Sequence, residues 1–593
     1  MVTGILAHIA RGATLFNVLS PTPLLKIHPA IGVARVGDSP GSFFIGPERP
    51  LELPTGQHSG VGSKVPPFRD AGKIKRQGAR FRVFYYPPGA IAEELNLDHP
   101  EVAEIEWTVH VANKKAAFFK FAGQTGAAGP FTGGAPPRRN PAVPAAARNA
   151  KLVIDPGPRS IRGAGAGPVK FDTALGNWPK NAAGTPVIDY LGELRTDSKG
   201  RLVVLGGRGT SACSVTPATP LLDYANNDNW FDDISDGPVT AKVTLKSGRV
   251  IPVQFPGWVL VGPPDFAPLI RSVVSLYDTM LDIAVRKLPD PVAPFHDKPS
   301  LDSFMALKAS FKGTPGHKPE WWNDIHPTIE AARLARFVHK PVASSHVTLA
   351  LPDLLNPAPA AKSTRESIFN FLRPPGGNTV YSGTGSMPKL FGDNYFVVGD
   401  PRRVLALPPV QYHILQLWKD GSFIVGPQLS AIAFTPEGLD RAALEGCVGG
   451  AFFPGIECSW LVREGGIYSE PFRVRHGATV GPLTVEAGFF SQQMALPWQA
   501  DFMDCAGDPS TLGTDFGWWP AQRPDNVYKT VADATAGVNM VEWVRGVPPP
   551  TVPTPPPGAG HARMVLFWSQ LGFVWPTSFG PGQVHVESER TLL

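Results

Sequence analysis

The sequence predicts a mainly β protein with an α-helical insertion, and three observations carry that prediction. Proline (65) and glycine (62) together exceed a fifth of the 593 residues; such a load breaks helices and favours short strands joined by many turns. Stretches that alternate apolar and polar side chains recur through the first 263 residues and return around 395–435. Between them, Ile270, Val273, Val274, Tyr277, Leu281 and Ala284 recur at three- and four-residue steps, which makes 265–288 the clearest helix.

Residues 25–50 alternate and then turn, as an opening strand and hairpin would. Strand-like stretches follow at 80–87 and 103–111. The stretch 124–149 is rich in Ala, Gly and Pro and reads as a loop or linker that would not pack by itself. Strands with turns resume through 150–263. Within them the acidic run from Asp228 to Pro238 lacks the ligand spacing and terminal Glu of a calcium loop, leaving turn and capping duties. A second helix is expected at 328–338. Residues 547–558 are Pro-rich, hence extended or irregular, and lie between the apolar segments 495–505 and 564–575. Three regions follow: β-rich 1–263, helical 264–345 and β-rich 346–593.

Composition narrows the function. Hydrophobic residues make up 43% and charged residues 18%, as in globular proteins. The net charge of +5 is weak for this length. The densest basic stretch, Lys73, Lys75, Arg76, Arg80 and Arg82, reads as the solvated face of a strand and not as a nucleic-acid surface. No apolar run reaches the roughly 18 residues of a membrane span. Arg11 interrupts the mildly apolar first 25 residues and no charged n-region precedes them, so a secretory signal peptide is not expected. The reading is a soluble protein, cytoplasmic or exported by another route. Four cysteines (Cys213, Cys447, Cys458, Cys505) are too few for a disulfide scaffold, and without a C-x-x-C pair they make no structural zinc site.

The familiar catalytic motifs are missing: there is no G-x-S-x-G elbow, Walker A loop, H-E-x-x-H or strand-anchored G-x-G-x-x-G. The histidines show no ligand spacing, and His28, in a strand before proline, reads as structural. Nothing selects a hydrolase's carboxylate pair from the acidic residues. What stands out is the last third. It holds Cys447-Val-Gly-Gly-Ala-Phe-Phe-Pro-Gly-Ile-Glu457 and Leu496-Pro-Trp-Gln-Ala-Asp501-Phe-Met-Asp-Cys505. It also holds Trp518-Trp-Pro-Ala-Gln-Arg-Pro-Asp525 and Phe567-Trp568-Ser-Gln-Leu-Gly-Phe-Val-Trp575-Pro. Aromatics beside glycine and proline make either a rigid, irregular pocket wall or an ordinary aromatic core; composition does not separate the two.

The last three of these segments, the Pro-Gly-Ile-Glu ending of the first, and the opening Ile27-His-Pro-Ala-Ile-Gly-Val-Ala-Arg-Val-Gly-Asp-Ser-Pro resemble the L-lysine 6-oxidase and glycine oxidase family of quinoproteins. The motifs keep family order from residue 25 to about 580. The resemblance implies a β-sandwich-like body of antiparallel sheets with an extended strand arm. It implies a cysteine tryptophylquinone, with Cys505 as thioether donor and Trp568 as quinone ring. Trp575 is the nearby competitor; Trp568 is preferred because its spacing from Cys505 resembles the family's. Asp501 is the implied catalytic base, and Cys447 and Trp498 the implied pocket residues. The implied reaction is oxidative deamination of an amino-acid amine. Dioxygen is the co-substrate, and the products are aldehyde or keto acid, ammonia and hydrogen peroxide. A flavoprotein maturation partner and a homodimer or homotetramer are implied as well.

The residue types suit that chemistry. An ortho-quinone is an electrophile for an unprotonated amine, and the protein supplies position and a base. Asp501, among Trp498, Ala500 and Phe502, should be poorly solvated, which raises a carboxyl toward the useful range. Such a base contributes about a hundred- to ten-thousand-fold in rate. Two alternatives stay open: a quinoprotein dehydrogenase using another electron acceptor, and a non-catalytic β-rich binding protein that keeps the scaffold. A thiol hydrolase using Cys447 or Cys505 lacks a histidine in a recognisable partner motif.

Overall fold

The computed structural model describes residues 23–50, 52, 55–56, 67–88, 91–121, 137–291, 298–377, 380–394, 397, 399–427, 434–452, 454–505, 516–548, 558–577 and 583–592. The amino-terminal 22 residues, 124–136 of the Ala/Gly/Pro stretch and 549–557 of the Pro-rich stretch therefore lie outside the described residues.

One 14-stranded sheet forms the body. Its main path runs Arg159–Arg162, Val102–Val109, Asp236–Leu245, Gly257–Gly262, Ile31–Arg35, Arg76–Tyr86, Leu202–Leu205, Tyr190–Thr196 and Val169–Asp172. The first and last of these strands approach each other, so the sheet nearly closes. Every residue of Arg76–Tyr86, Leu202–Leu205 and Gly257–Gly262 is buried, whereas Val102–Val109 alternates buried and exposed positions. The short strands Leu202–Leu205 and Gly257–Gly262 thus read as continuous apolar runs, whereas Arg76–Tyr86 buries charged residues as well.

Several expectations need correction. The antiparallel sandwich is one nearly closed mixed sheet: Gly257–Gly262 runs parallel to Ile31–Arg35, and Phe43–Ile45 parallel to Arg76–Gly78. The other sheets among the described residues are two-stranded. The antiparallel pair of the opening stretch is Phe43–Ile45 with Thr55–Gly56, and the two strands before it make no hairpin with each other. Leu24–His28 and Ile31–Arg35 follow one another along the same strand, from Leu24 opposite Tyr86 to Arg35 opposite Gln77, because Pro29 interrupts the ladder without reversing the chain. The basic stretch is a solvated face only at Lys73, which is exposed; Lys75 is half-buried. Arg76 and Arg82 are fully buried and Arg80 nearly so. Arg80 and Arg82 pair with Glu48, Arg82 also with Glu94, and Arg76 with Tyr190 and Glu193. The described end of the Ala/Gly/Pro stretch packs after all, with Arg139 buried and donating to the Lys115, Gln492 and Met494 carbonyls.

The predicted helix at 265–288 forms as Leu276–Lys287, with 265–275 non-helical; a capping box between Ser275 and Asp278 sets its start. The second is His326–Leu334, extended by the tight turn Ala335–Phe337. Strands expected around 395–435 are replaced by the helix Pro409–Lys419, whose Val410, Ile414, Leu415 and Trp418 are buried at helical spacing. Further helices span Lys298–Phe311, Lys362–Phe369 and Pro436–Glu445. Among the described residues none is long and apolar enough to cross a membrane. His28 is structural, as read: it is buried, with Nδ1 on Asp440 and Nε2 on the Tyr86 hydroxyl, both at 2.8 Å.

Two large apolar clusters fill the molecule. One lies against the sheet and includes Phe81, Trp107, Trp498, Cys505 and Trp568. The other lies under the helices and includes Trp258, Trp418, Cys447 and Trp460.

Candidate active site

Asp501 sits in the first turn of the helix Trp498–Asp504, which follows Pro497. Its amino end is capped from a distance: Asp232 accepts the Trp498 N–H at 3.2 Å. Asp232 is itself fixed by Lys115, 2.8 Å away and equally inaccessible, and Lys115 also donates to the Ala495 carbonyl at 2.9 Å. The acidic run 228–238 therefore does capping work, but for an element far along the chain. A four-residue step on a helix brings two side chains to one face. Cys505 accordingly places its thiol 2.9 Å from Asp501 Oδ1, while its N–H closes the helix on the Asp501 carbonyl at 2.9 Å.

The helix Ala559–Phe567 packs against this one and delivers Trp568 at its end. Gly560 lies against Met503, and His561 Nε2 pairs with Asp504 at 2.8 Å, its Nδ1 donating to the Leu221 carbonyl. The Trp568 and Trp498 rings meet edge to face, with centroids 5.3 Å apart, and Phe502 meets Trp498 likewise at 4.9 Å. Trp498 Nε1 is buried and has no partner among the described residues.

A glycine turn covers the six-membered ring of Trp568. Gly209 adopts φ +74°, and a Cβ there would overlap Cζ2 and Cη2 of the indole; only glycine suits both demands. The turn is strapped from two sides. Asp233 accepts the N–H groups of Arg208 (2.6 Å) and Thr210 (3.0 Å). Gln499, on the Asp501 helix, donates to the Gly209 carbonyl at 3.0 Å and accepts from Ser211 at 2.6 Å.

Burial dominates the electrostatics. It drives the Asp501 carboxyl well above its ordinary range, and the thiol hydrogen bond offsets this only in part. Burial, reinforced by Asp501, likewise drives the Cys505 thiol up. The buried Arg523 guanidinium stands nearby, donating to the Phe502 carbonyl at 2.7 Å. Tyr224 is pushed up by burial and then by the charges of Asp223, Asp501 and Cys505. Asp233 is pushed to about 7, again chiefly by burial.

Asp501, Cys505, Trp498 and Trp568 thus come together. Cys447 does not join them in one cluster. It is buried under the helices, its thiol on the Ala443 carbonyl at 3.4 Å and 3.9 Å from Arg35, which pairs with Glu457 at 2.8 Å. Trp575 lies in the strand Phe573–Pro576 with its ring against Phe68 at 5.1 Å. Tyr224, Gly209, Asp233, Gln499, Lys115 and His561 were not singled out by sequence. The glycine density of Gly206-Gly207-Arg208-Gly209 was the one local sign; the rest depends on pairings across hundreds of residues.

Known proteins resemble this chain along most of its length. The model of the L-lysine epsilon oxidase N-terminal domain matches residues 28–261, and that of the C-terminal domain matches 385–530. The L-lysine 6-oxidase of Marinomonas mediterranea is 31% identical over 544 residues, covering 81% of this chain and 71% of that protein. A crystal structure of the Schiff base intermediate of L-Lys epsilon-oxidase from that organism, with L-Lys, superposes with a TM-score of 0.75. It has 27% identity and covers 95% of each chain. A structure of the same oxidase described without L-Lys gives 0.73 and 26% identity, over 95% of this chain and 94% of that one. The chain belongs to the L-lysine ε-oxidase family of amino-acid oxidases.

Proposed function

We propose that the chain oxidatively deaminates a primary amine of an amino acid, using a quinone made from its own Trp568 and Cys505. The observation that carries this reading is the buried Asp501 carboxyl, 2.9 Å from the Cys505 thiol, on a helix packed against the one that presents Trp568. The residues fit such a group. Sulfur and indole belong to one buried cluster, the glycine turn leaves space over the ring for nothing larger, and Trp498 Nε1 is a donor left over beside it.

A cysteine tryptophylquinone supplies an electrophilic carbonyl pair that takes up an amine and two electrons. The chain's own side chains do the rest. Asp501 takes the proton from the carbon that bears the amine; its raised affinity for protons suits it to hold one. Once the sulfur of Cys505 is a thioether it no longer donates to Asp501, which frees that oxygen for the transferred proton. Trp498 offers its Nε1–H to an oxygen of the substrate or ring. Trp498, Phe502 and the turn at Gly209 exclude water, which strengthens each of these interactions. The L-Lys held by the solved relative makes lysine the first substrate to try, with Cys447 as a candidate contact on the far side. Dioxygen would regenerate the oxidised ring and yield hydrogen peroxide. A flavoprotein would be needed to complete the modification, and the working unit would be a homodimer or homotetramer.

The test is peroxide release from protein co-produced with such a flavoprotein, across a panel of amino acids. Peroxide and ammonia in equal amounts from at least one amino acid are expected. Turnover of a dye under nitrogen with no peroxide in air would make the protein a dehydrogenase. No turnover of any amine by chain shown to carry the modification would overturn the reading.

A further inference from the structure

A second cleft, outside the Trp568 site, is lined by more cationic than acidic residues. It encloses about 400 Å³ between the helix Leu276–Lys287, the amino end of the helix Pro409–Lys419, and the segment Gly449–Gly450. Five cationic residues line it, Arg286, Lys287, Arg373, Arg402 and Arg463, against two acidic ones, Asp282 and Asp393. Three of the five have carboxylate partners: Arg286 pairs with Asp282 at 2.9 Å, Arg402 with Asp400 at 2.7 Å, and Arg463 with Asp393.

The other two do not. Lys287 donates to the Arg463 carbonyl at 2.8 Å and, among the described residues, meets no carboxylate. Arg373 is the stronger case. It is 1% exposed, and its two Nη atoms reach only carbonyls, those of Pro388 (3.0 Å), Leu405, Val380 and Ser386 (both 2.8 Å). Its Nε has no partner among the described residues. Carbonyl dipoles solvate a buried guanidinium but do not neutralise it, and a buried charge without a counter-charge is costly. Burial lowers its pKa to about 10, so it stays charged at neutral pH. The helix Pro409–Lys419 adds to the field, opening at the cleft with no acidic residue in its first turn. Asp282 caps only one of its N–H groups, that of Val410.

We propose that this cleft binds a phosphate-bearing anion. Two unmatched positive charges call for a doubly charged group in a small volume. A phosphate or phosphomonoester carries about −1.5 to −2 at neutral pH, where a carboxylate carries one charge. Val274, Ile283, Val404 and Leu407 on the walls leave room for an organic body on the ester.

Calorimetric titration of the full chain tests this with four probes: inorganic phosphate, adenosine 5′-monophosphate, citrate and chloride. Phosphate and the monophosphate should bind, compete for one site and weaken with added salt. Tighter binding of the monophosphate would assign the site to esters, and equal binding to free phosphate. Lys287 and Arg402 are exposed, so the double variant Lys287→Gln, Arg402→Gln should fold normally and bind about tenfold more weakly, as two partly screened charges would give. Arg373→Lys, which keeps the charge but loses the carbonyl bonds that fix its place, should bind more weakly still. The proposal fails if neither phosphate probe binds better than chloride, if citrate binds as well as both, or if the double variant binds like the parent.

Discussion

Cys505 and Cys447 invite comparison. Both are buried, at 3% and 1% exposure, and burial pushes both thiols up. Their neighbours differ. Cys447 sits among charges already matched, with Arg35 shared by Glu457 at 2.8 Å and Asp265 at 4.0 Å, and with Glu457 also accepting the Val448 N–H. That arrangement commits the charge of Arg35 beside Cys447 to ion pairs. Cys505 instead touches a carboxyl that burial has made a strong proton acceptor, beside two indoles, one with an unused N–H. Burial alone does not make a cysteine functional. The difference lies in whether the polar groups around it are already committed.

The sharpest way to break the comparison is to remove each sulfur in turn. In matured protein, Cys505→Ala should lose all visible quinone absorbance and all turnover, whereas Cys447→Ala should keep the absorbance and alter at most KM. Equal loss in both would put the two cysteines in one site.

Next in size is Asp501→Asn, which should cut turnover by about a hundred- to ten-thousand-fold in chain that carries the modification. Because burial holds the Asp501 carboxyl high and the base acts only when ionised, the parent's rate should climb as pH rises through that raised value. A flat pH profile would argue against Asp501 as the base.

Lys115→Met leaves Asp232 buried without its partner, beneath the helix that carries Asp501. It should cost about 3–5 kcal/mol in urea denaturation, as for other broken buried pairs. Gly209→Ala should cost about 1–3 kcal/mol in the same assay, as an overpacked core does, and reduce the fraction cross-linked, read by intact mass, because the methyl would displace the indole.

The smallest effect concerns His561. Burial alone would lower its pKa, but Asp504 more than offsets this and raises it. The contribution of the pair is therefore complete below the ordinary histidine value and fades as pH rises through the raised one. His561→Gln should flatten the dependence of Tm on pH across that window, without shifting the plateau above it.

Much of this was legible in sequence, for identifiable reasons. The strand Arg76–Tyr86 and the helix Leu276–Lys287 declare themselves because periodicity is local. Asp501 and Cys505 share one short motif, so their nearness was legible, but the helix that puts them on one face was not expected there. The nearly closed sheet was not legible, since the pairing of Ile31–Arg35 with Gly257–Gly262 is set by packing across two hundred residues. The arginines at 76, 80 and 82 misled because a charged side chain in alternation looks solvated until its partners, Glu48, Glu94 and Glu193, are found elsewhere. The helix Pro409–Lys419 was missed although Val410, Ile414 and Trp418 have helical spacing, because the prolines before it mimic a strand boundary. The strap over Trp568 combines Gly209, Asp233 and Gln499 from three parts of the chain, and no local pattern announces it.

The most direct measurement is a peptide map of matured protein by tandem mass spectrometry. The account predicts that the peptides holding Cys505 and Trp568 travel as one covalent species, with two oxygens added on the tryptophan side and four hydrogens lost in all. Recovery of the two as separate peptides, each at its encoded mass, would contradict it.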